Sequence, residues 1–245
     1  MTAQPEDQQT LEAQQYWGYL FKENKCGADK LNSLLSGIWG FIGTNFEPGD
    51  SKDITPSQIA AYYRAVGGDY DCLFSEANST SIAFIYKSLG CLHSLQPSSD
   101  EETYSSPYIP ALKRKGFITW QTIQLLLCPE EHVPFIQEAV RIFDIKDLQT
   151  GEAFPRILPK EAFPDRPDAD MVRWYESVSE RLRQDALAGE LEASHIDDAN
   201  RSSSDISRED ERHQAAAYFR NPAYRNHEGR AGIVRGYSRN PSQSP

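Results

Sequence analysis

Two cysteine and histidine pairs have the residue types and spacing that could support chemistry. Cys128 and His132 are four residues apart, which on one continuous helix would place a thiol near an imidazole, as a cysteine nucleophile requires. Pro129 favours a helix that begins after Cys128, so we interpret Cys128 as a capping or pre-helix residue with a structural role. Cys91 and His93 could supply two metal ligands, but a zinc site needs three or four. We therefore predict no catalytic residue and no metal ligand from these pairs.

Three acidic segments could hold a divalent cation. Residues 69–71 and 168–170 are Asp-x-Asp strings, but a chain with 17 Asp residues contains about one such string by chance. We interpret the first as turn residues beside Gly67 and Gly68, and the second as the first turn of a helix. Residues 50–53 lack the spaced oxygen ligands and the final Glu of a calcium loop. The Gly-rich phosphate motifs and the nucleophile elbow are also missing from the sequence, which excludes the better-marked nucleotide-binding and hydrolase classes.

The C-terminal tail carries regularly spaced arginines, interleaved with tyrosine and phenylalanine. These arginines are Arg220, Arg225, Arg230, Arg235 and Arg239. Arginine and aromatic groups together pair with phosphates and stack on bases, so weak nucleic-acid binding through the tail is one interpretation. The alternative, which we favour, is a solvated tail that attracts the acidic body of the chain or an acidic protein partner.

The charge and the cysteines indicate the compartment. The 245 residues have a net charge of −11 and four dispersed cysteines without a CxxC spacing. Residues 201–245 carry eight arginines against five acidic residues, so the acidic charge belongs to the body, which repels nucleic acid and anionic membranes. The N-terminus lacks signal-peptide features, and no apolar run approaches the roughly 20 residues that cross a bilayer. We predict a cytoplasmic or nuclear protein, not secreted, with no transmembrane segment and no cofactor.

Hydrophobic periodicity predicts that helices build the body. The clearest helical stripe consists of Leu31, Leu34, Leu35, Ile38, Trp39 and Ile42, and Gly43 could end that helix. Thr55, Pro56 and Gln58 form a capping box that begins another helix. Further helical stripes lie within residues 11–21, 82–89, 116–127, 129–143 and 168–188. Residues 96–111, which combine prolines with serines and acidic residues, are predicted to be a surface loop.

A proline-rich segment separates the last helix from the others. Phe154-Pro155, Leu158-Pro159 and Phe163-Pro164 place a proline every four or five residues, which forbids a continuous helix. We predict an extended strap pinned across the helices by its aromatic side chains. The fold is predicted to be mainly α, an irregular multi-helix bundle with this strap. Its parts are a flexible leader (1–10), a helical domain (11–188) and a disordered tail (189–245), which is too polar to offset the entropy of ordering.

Short aromatic and proline motifs follow one another through the body. They are Tyr16-Trp17-Gly18-Tyr19-Leu20-Phe21, Thr55-Pro56 before Tyr62-Tyr63, Ile82 to Leu89, Ile109-Pro110-Ala111-Leu112 with Gly116-Phe117 and Trp120, and the three proline pairs of the strap. In this order they resemble a fungal family described only as a domain of unknown function, number 7514, over roughly residues 14 to 185. The sequence departs from the family pattern at Lys113-Arg114, where a Thr is expected. The resemblance implies no activity, cofactor or catalytic residue.

The sequence leaves three functions open. The leading hypothesis is a non-catalytic helical protein-interaction module, because aromatic residues are abundant and no acid, base and nucleophile set converges. The second is an enzyme whose site is assembled only in three dimensions, as concave pockets with perturbed pKa values would indicate. The third is weak nucleic-acid binding through the tail. We expect a protein as the main partner and leave the oligomeric state open.

Overall fold

The computed structural model describes residues 5–49, 52–97 and 106–180, so the predicted tail and its five arginines lie outside the described residues. Seven helices are α1 (Pro5–Trp17), α2 (Asp29–Asn45), α3 (Pro56–Ala65), α4 (Asp71–Phe74), α5 (Ser79–Ser88), α6 (Arg114–Leu127) and α7 (Pro129–Ile142). Two strands, β1 (His93–Gln96) and β2 (Ile109–Leu112), form an antiparallel sheet. A 3-10 turn covers Lys160–Ala162, and residues 169–180 form a further helix, α8. The mainly α fold with its extended strap is confirmed.

One hydrophobic core joins all eight helices. At its centre, α2 packs on α6. Trp39 of the predicted stripe is partly buried, and the other five residues are buried completely: Leu31, Leu34, Leu35, Ile38 and Ile42. The helix continues two residues past Gly43. In the described part of the chain, no helix has both the length and the apolar character that crossing a membrane requires.

The capping box at the start of α3 is confirmed. The Gln58 backbone N–H donates to the Thr55 hydroxyl at 3.3 Å, and the Thr55 N–H donates to the Gln58 side-chain oxygen at 2.9 Å. The Gln58 side-chain nitrogen also donates to the carbonyls of Phe46 and Pro48, both at 2.9 Å. This glutamine therefore fixes both the start of α3 and the chain that leads into it.

The first helix differs from the prediction at both ends. It begins at Pro5, inside the predicted leader, and ends at Trp17, so the expected helical stripe through Phe21 is wrong. Gly18 ends the helix in the left-handed region (φ 57°), where glycine has no steric penalty. Leu20 is then buried outside the helix, with its N–H donating to the carbonyl of Ala162 at 2.9 Å.

The β1–β2 sheet corrects the prediction of a surface loop over residues 96–111. The strand β2 is half of a hairpin, and its residues Ala111 and Leu112 are buried. Leu112 also exchanges both backbone hydrogen bonds with Ile54 on the side away from β1. Pro110 lies opposite Leu95 and, two residues before Leu112, directs its backbone away from β1. Its missing N–H therefore costs no β1–β2 hydrogen bond.

The strap crosses the bundle as predicted. Its apolar side chains Phe154, Leu158 and Phe163 are buried. Trp17 fastens the strap to the end of α1, because its indole N–H donates to the Ile157 carbonyl at 2.7 Å and its ring stacks on Phe154 at 5.7 Å. The strap is thus fixed to the end of α1.

The last helix follows the strap. Asp168 precedes α8 and accepts hydrogen bonds from the N–H groups of Asp170 and Met171, which is an N-cap arrangement. Of the apolar residues in the helical stripe predicted within 168–188, Tyr175 and Val178 are buried, whereas Trp174 is 38% exposed. Residues beyond 180 lie outside the described chain.

Candidate functional site

Aromatic and ionisable side chains meet where α3, α4, α6 and α7 come together. We call this group the tyrosine–histidine cluster. Its members are Tyr63 on α3, Tyr70 before α4, Trp120 and Gln121 on α6, and Glu131 and His132 on α7. It is the place in the described chain where an imidazole, a carboxylate and phenols are in contact, so it is the first candidate for catalysis.

Tyr63 is the centre of the cluster. Its ring stacks on that of Tyr70 with centroids 4.2 Å apart. Its hydroxyl accepts hydrogen bonds from the Trp120 indole N–H at 3.3 Å and from the Gln121 amide at 3.2 Å. Two donors from α6 therefore hold a hydroxyl from α3, which ties the two helices together inside the core.

Tyr70 links the carboxylate to the imidazole. Its hydroxyl lies 2.5 Å from Glu131 Oε1 and 3.1 Å from His132 Nε2. A phenol that donates to a carboxylate can only accept from the imidazole, so Nε2 of His132 carries the proton. The other ring nitrogen, Nδ1, is buried and has no hydrogen-bond partner within the described residues.

Burial shifts the pKa values of these groups away from physiological pH. It lowers the pKa of His132 from about 6.5 to about 3, because the charged imidazolium would lose its hydration. Burial also raises the pKa of Tyr70 well above its usual value, and the nearby charge of Glu131 adds to this effect. Burial likewise raises the pKa of Tyr63. All three side chains are therefore neutral at pH 7.

The geometry is that of a packed polar core. Tyr63 and His132 are 0% and 2% exposed, so a substrate cannot reach the imidazole. A general base has to lie within hydrogen-bonding reach of the proton it removes and to have a pKa near the working pH, and His132 meets neither condition. The cluster orients helices, and only Glu131 at its edge is partly exposed.

The two cysteine and histidine pairs occupy structural positions. Cys128 is the N-cap residue of α7, as predicted, and its carbonyl accepts the backbone N–H of His132 at 3.0 Å. The imidazole of His93 contacts the backbone carbonyl of Cys91 at 3.0 Å rather than its thiol. Burial raises the pKa of the Cys91 thiol to about 12. No disulfide joins the four cysteines, all of which are described.

The acidic strings also have local partners. Asp71 pairs with Arg64 at 2.6 Å, and Asp69 accepts the backbone N–H of Asp71, as turn residues do. Asp168 pairs with Lys25 at 2.6 Å in addition to capping α8. Among residues 5–49, 52–97 and 106–180, no three His, Cys, Asp or Glu side chains are grouped as metal ligands could be.

A groove between α1 and the strap presents exposed apolar side chains. We call it the α1–strap groove. It has a volume of about 410 Å³ and is lined by Gln9, Glu12, Ala13 and Tyr16 from α1 and by Pro155, Arg156 and Ile157 from the strap. Tyr16 is 40% exposed and Ile157 is 42% exposed. The spacing of the α1 residues places them on one face of the helix.

A buried residue next to this groove joins its two walls. Trp17, next to Tyr16, is buried and bonds to the carbonyl of Ile157, so one side chain holds both walls. The ring of Tyr16 packs edge-on against that of Trp17, with centroids 5.0 Å apart. The Lys30 ammonium lies 4.2 Å from the centroid of the Tyr16 ring. Ligand-binding grooves are commonly preformed in this way.

A second cleft lies between α2, α6 and the chain after α7. We call it the α2–α6 cleft. It has a volume of about 560 Å³, and its polar lining includes Asn32, Ser33, Arg114, Lys115, Asp147 and Gln149. It therefore differs in chemistry from the α1–strap groove.

The sequence names His132 and Tyr16 but does not predict the tertiary contacts that decide whether each is structural or available for binding. Tyr70 and His132 are 62 residues apart, and no local spacing connects them. The wall of the α1–strap groove at Ile157 had only the neighbouring strap prediction as a signal. The predicted tail contacts, Arg220 to Arg239, lie outside the described residues.

Comparisons with known proteins give a family and no activity. Residues 18–179 match the family model described as "Domain of unknown function (DUF7514)". Neither a curated protein nor a solved structure matches the chain.

Proposed function

Because the chain belongs to the DUF7514 family, whose description names no activity, we propose its function from the geometry. We propose a non-catalytic protein-interaction module that binds a partner protein in the α1–strap groove. The observation that carries this proposal is a preformed groove whose apolar side chains, Tyr16 and Ile157, remain exposed. The fungal origin of the family remains a prediction from the sequence motifs.

The chemistry of the groove suits a short apolar segment of a partner. Ala13 makes the α1 wall apolar, Pro155 and Ile157 make the strap wall apolar, and Tyr16 adds an aromatic ring. Tyrosine is enriched among the residues that dominate binding energy at protein interfaces. Because Trp17 already fixes both walls, binding requires little further ordering of the groove, and less affinity is lost to entropy.

The charged residues at the rim add specificity. Glu12 stands on the α1 wall and Arg156 on the strap wall. A partner segment with a basic residue facing α1 and an acidic residue facing the strap would complement both. Charge pairs at an interface rim favour correct registration more than affinity.

The proposal includes the tail as an auxiliary contact. Its arginines would attract an acidic surface of the same partner, and weak nucleic-acid binding is the alternative. A chain that ends at Ala188 separates these roles. Loss of salt-dependent RNA binding on this truncation would support the alternative, whereas loss of protein recovery alone would support the auxiliary contact.

We do not propose catalysis by the tyrosine–histidine cluster. Its imidazole is 2% exposed, and burial holds the pKa of His132 at about 3. A catalytic proposal would need a reacting group that substrate can reach.

The test is a quantitative pull-down from native lysate with three forms of the full chain. They are the unchanged chain, Ile157→Asp in the groove, and Leu95→Asp as a control on β1, where Leu95 is 52% exposed. A buried charge at an apolar contact costs several kcal/mol. We therefore expect at least one protein to be recovered by the unchanged chain and the Leu95 variant but lost with Ile157→Asp.

Two results would overturn the proposal. One is a set of recovered proteins that is the same for all three chains. The other is the loss of the same proteins with both substitutions, which would indicate a general effect of added negative charge.

A further inference from the structure

The α2–α6 cleft has a third wall that is held in place by two glycines. At Gly37 an added Cβ would lie 2.4 Å from the carbonyl oxygen of Lys146, and at Gly40 it would lie 3.0 Å from the side chain of Leu148. The missing side chains let the chain after α7 pack directly on α2. The residues that follow, Asp147 to Gln149, therefore stand at a fixed distance from Arg114 and Lys115 across the cleft.

Both carboxylates of this cleft have hydrogen-bond partners other than its basic residues. Asp29 pairs with Lys22 at 2.9 Å. Asp147 accepts hydrogen bonds from the backbone N–H groups of Gln149 and Thr150. Neither carboxylate forms an ion pair with Arg114 or Lys115.

The two basic residues of this cleft lie at the start of α6. Arg114 and Lys115 line the cleft and are exposed, and neither forms an ion pair with any residue in the described ranges. They follow Lys113, so the cleft lies beside three consecutive basic residues in an otherwise acidic chain. An anion could therefore bind both side chains without breaking an ion pair in the part of the chain that the structure describes.

Neutral hydrogen-bond donors complete the lining. The Ser33 hydroxyl and the Gln149 side-chain amide line the cleft. Among the described residues, neither of these two side-chain groups has a hydrogen-bond partner. An Arg fork, a Lys ammonium, a hydroxyl and an amide are the donors that surround phosphate groups in proteins. The volume of about 560 Å³ falls in the usual range of small-ligand sites.

We propose that the α2–α6 cleft is a binding site for a phosphate monoester, with Arg114 and Lys115 as the charged contacts and Ser33 and Gln149 as the neutral donors. This inference goes beyond the proposed protein-interaction function and uses different residues. The phosphate can belong to a small metabolite or to a phosphorylated side chain of a protein. Both sources share the same dianionic group.

The test is an NMR titration of the isotope-labelled full chain with inorganic phosphate, with sodium chloride adjusted to hold the ionic strength constant. We expect saturable shifts of amide signals at residues 33, 114, 115 and 149. Glycerol 3-phosphate and a phosphoserine peptide, titrated in parallel, distinguish the two sources by which of them binds more tightly than inorganic phosphate.

Matched variants decide whether the cleft is responsible. The double substitution Arg114→Gln with Lys115→Gln should weaken phosphate binding about tenfold or more, because charge-assisted hydrogen bonds are the strongest contacts to an anion. Lys113→Gln removes the adjacent exposed charge outside the lining and should change binding less than about twofold. The proposal fails if no shift saturates, or if Lys113→Gln weakens binding as much as the double substitution.

Discussion

The tyrosine–histidine cluster and the α1–strap groove use similar residues for different ends. Both combine tyrosine with charged neighbours, yet Tyr63 is 0% exposed and Tyr16 is 40% exposed. In the cluster, burial keeps the phenols and the imidazole neutral and commits every ring to packing. In the groove, the buried Trp17 makes the contacts that join α1 to the strap, so the neighbouring Tyr16 remains exposed to a ligand. Residue type alone therefore does not distinguish a structural from a binding role, whereas the solvent exposure of each side chain does.

The largest effect on stability should come from removing the Trp120 side chain from the tyrosine–histidine cluster. Trp120 is completely buried and packs edge-on against Phe74 and Tyr86, so Trp120→Ala should lower the free energy of unfolding by about 3–5 kcal/mol. Urea unfolding followed by circular dichroism measures this loss. Trp174→Ala, at a 38% exposed position, is the matched control and should cost much less. Equal losses would mean that burial does not separate the two sites.

The buried His132 should make the free energy of unfolding fall at acidic pH. Its pKa is lowered in the folded state to about 3, so between pH 6.5 and 3 the unfolded chain binds a proton that the folded chain does not. Stability from this group is present above pH 6.5 and is lost as pH falls, by about 1.4 kcal/mol per unit. Urea unfolding of the unchanged chain and of His132→Gln at pH 7 and pH 4 isolates the effect. The variant should lose about 3 kcal/mol less between the two pH values, and an identical loss would contradict a buried neutral imidazole.

Removing one hydroxyl should have a smaller effect. Tyr63→Phe keeps the ring stack but leaves the donors of Trp120 and Gln121 without their acceptor, at a cost of about 1–3 kcal/mol. Thermal unfolding would detect this as a lower Tm. A Tm unchanged by Tyr63→Phe would show that these two hydrogen bonds contribute nothing net.

The groove should give the smallest effect on stability. Ile157→Asp changes a 42% exposed side chain and keeps the carbonyl that Trp17 binds, so we expect a change within about 0.5 kcal/mol. Urea unfolding checks this, and the same variant should abolish partner recovery in the pull-down. A loss of several kcal/mol would make Ile157 part of the core and would undermine the binding interpretation.

The sequence was most informative where local patterns decide the structure. The capping box at Thr55, the stripe of α2 and the proline strap were all predicted correctly, because each depends on spacing within one turn or segment. The β1–β2 sheet was missed, since its strands contain four residues each and Pro110 resembles a loop residue. The end of α1 was misplaced because Leu20 and Phe21 are buried by the strap, a contact that local periodicity cannot show.

The candidate sites were less predictable for the same reason. The neutral state of His132 depends on its burial against the rings of Tyr63 and Tyr70. One wall of the α2–α6 cleft depends on the close packing of the chain after α7 on Gly37. Such properties arise from tertiary packing. The sequence names Cys128 and His132 as a pair and predicts the helix start at Pro129, but only the folded geometry shows that His132 is buried.

The bond between the Trp17 indole and the Ile157 carbonyl joins residues 140 positions apart. During synthesis α1 leaves the ribosome long before the strap exists, so the groove can form only after most of the domain has been translated. The family match begins at residue 18, one position beyond this tryptophan. A fragment trimmed to the matched residues would keep Phe154 but lose the Trp17 ring that stacks on it. Its apolar surface at Phe154 would then be exposed to solvent.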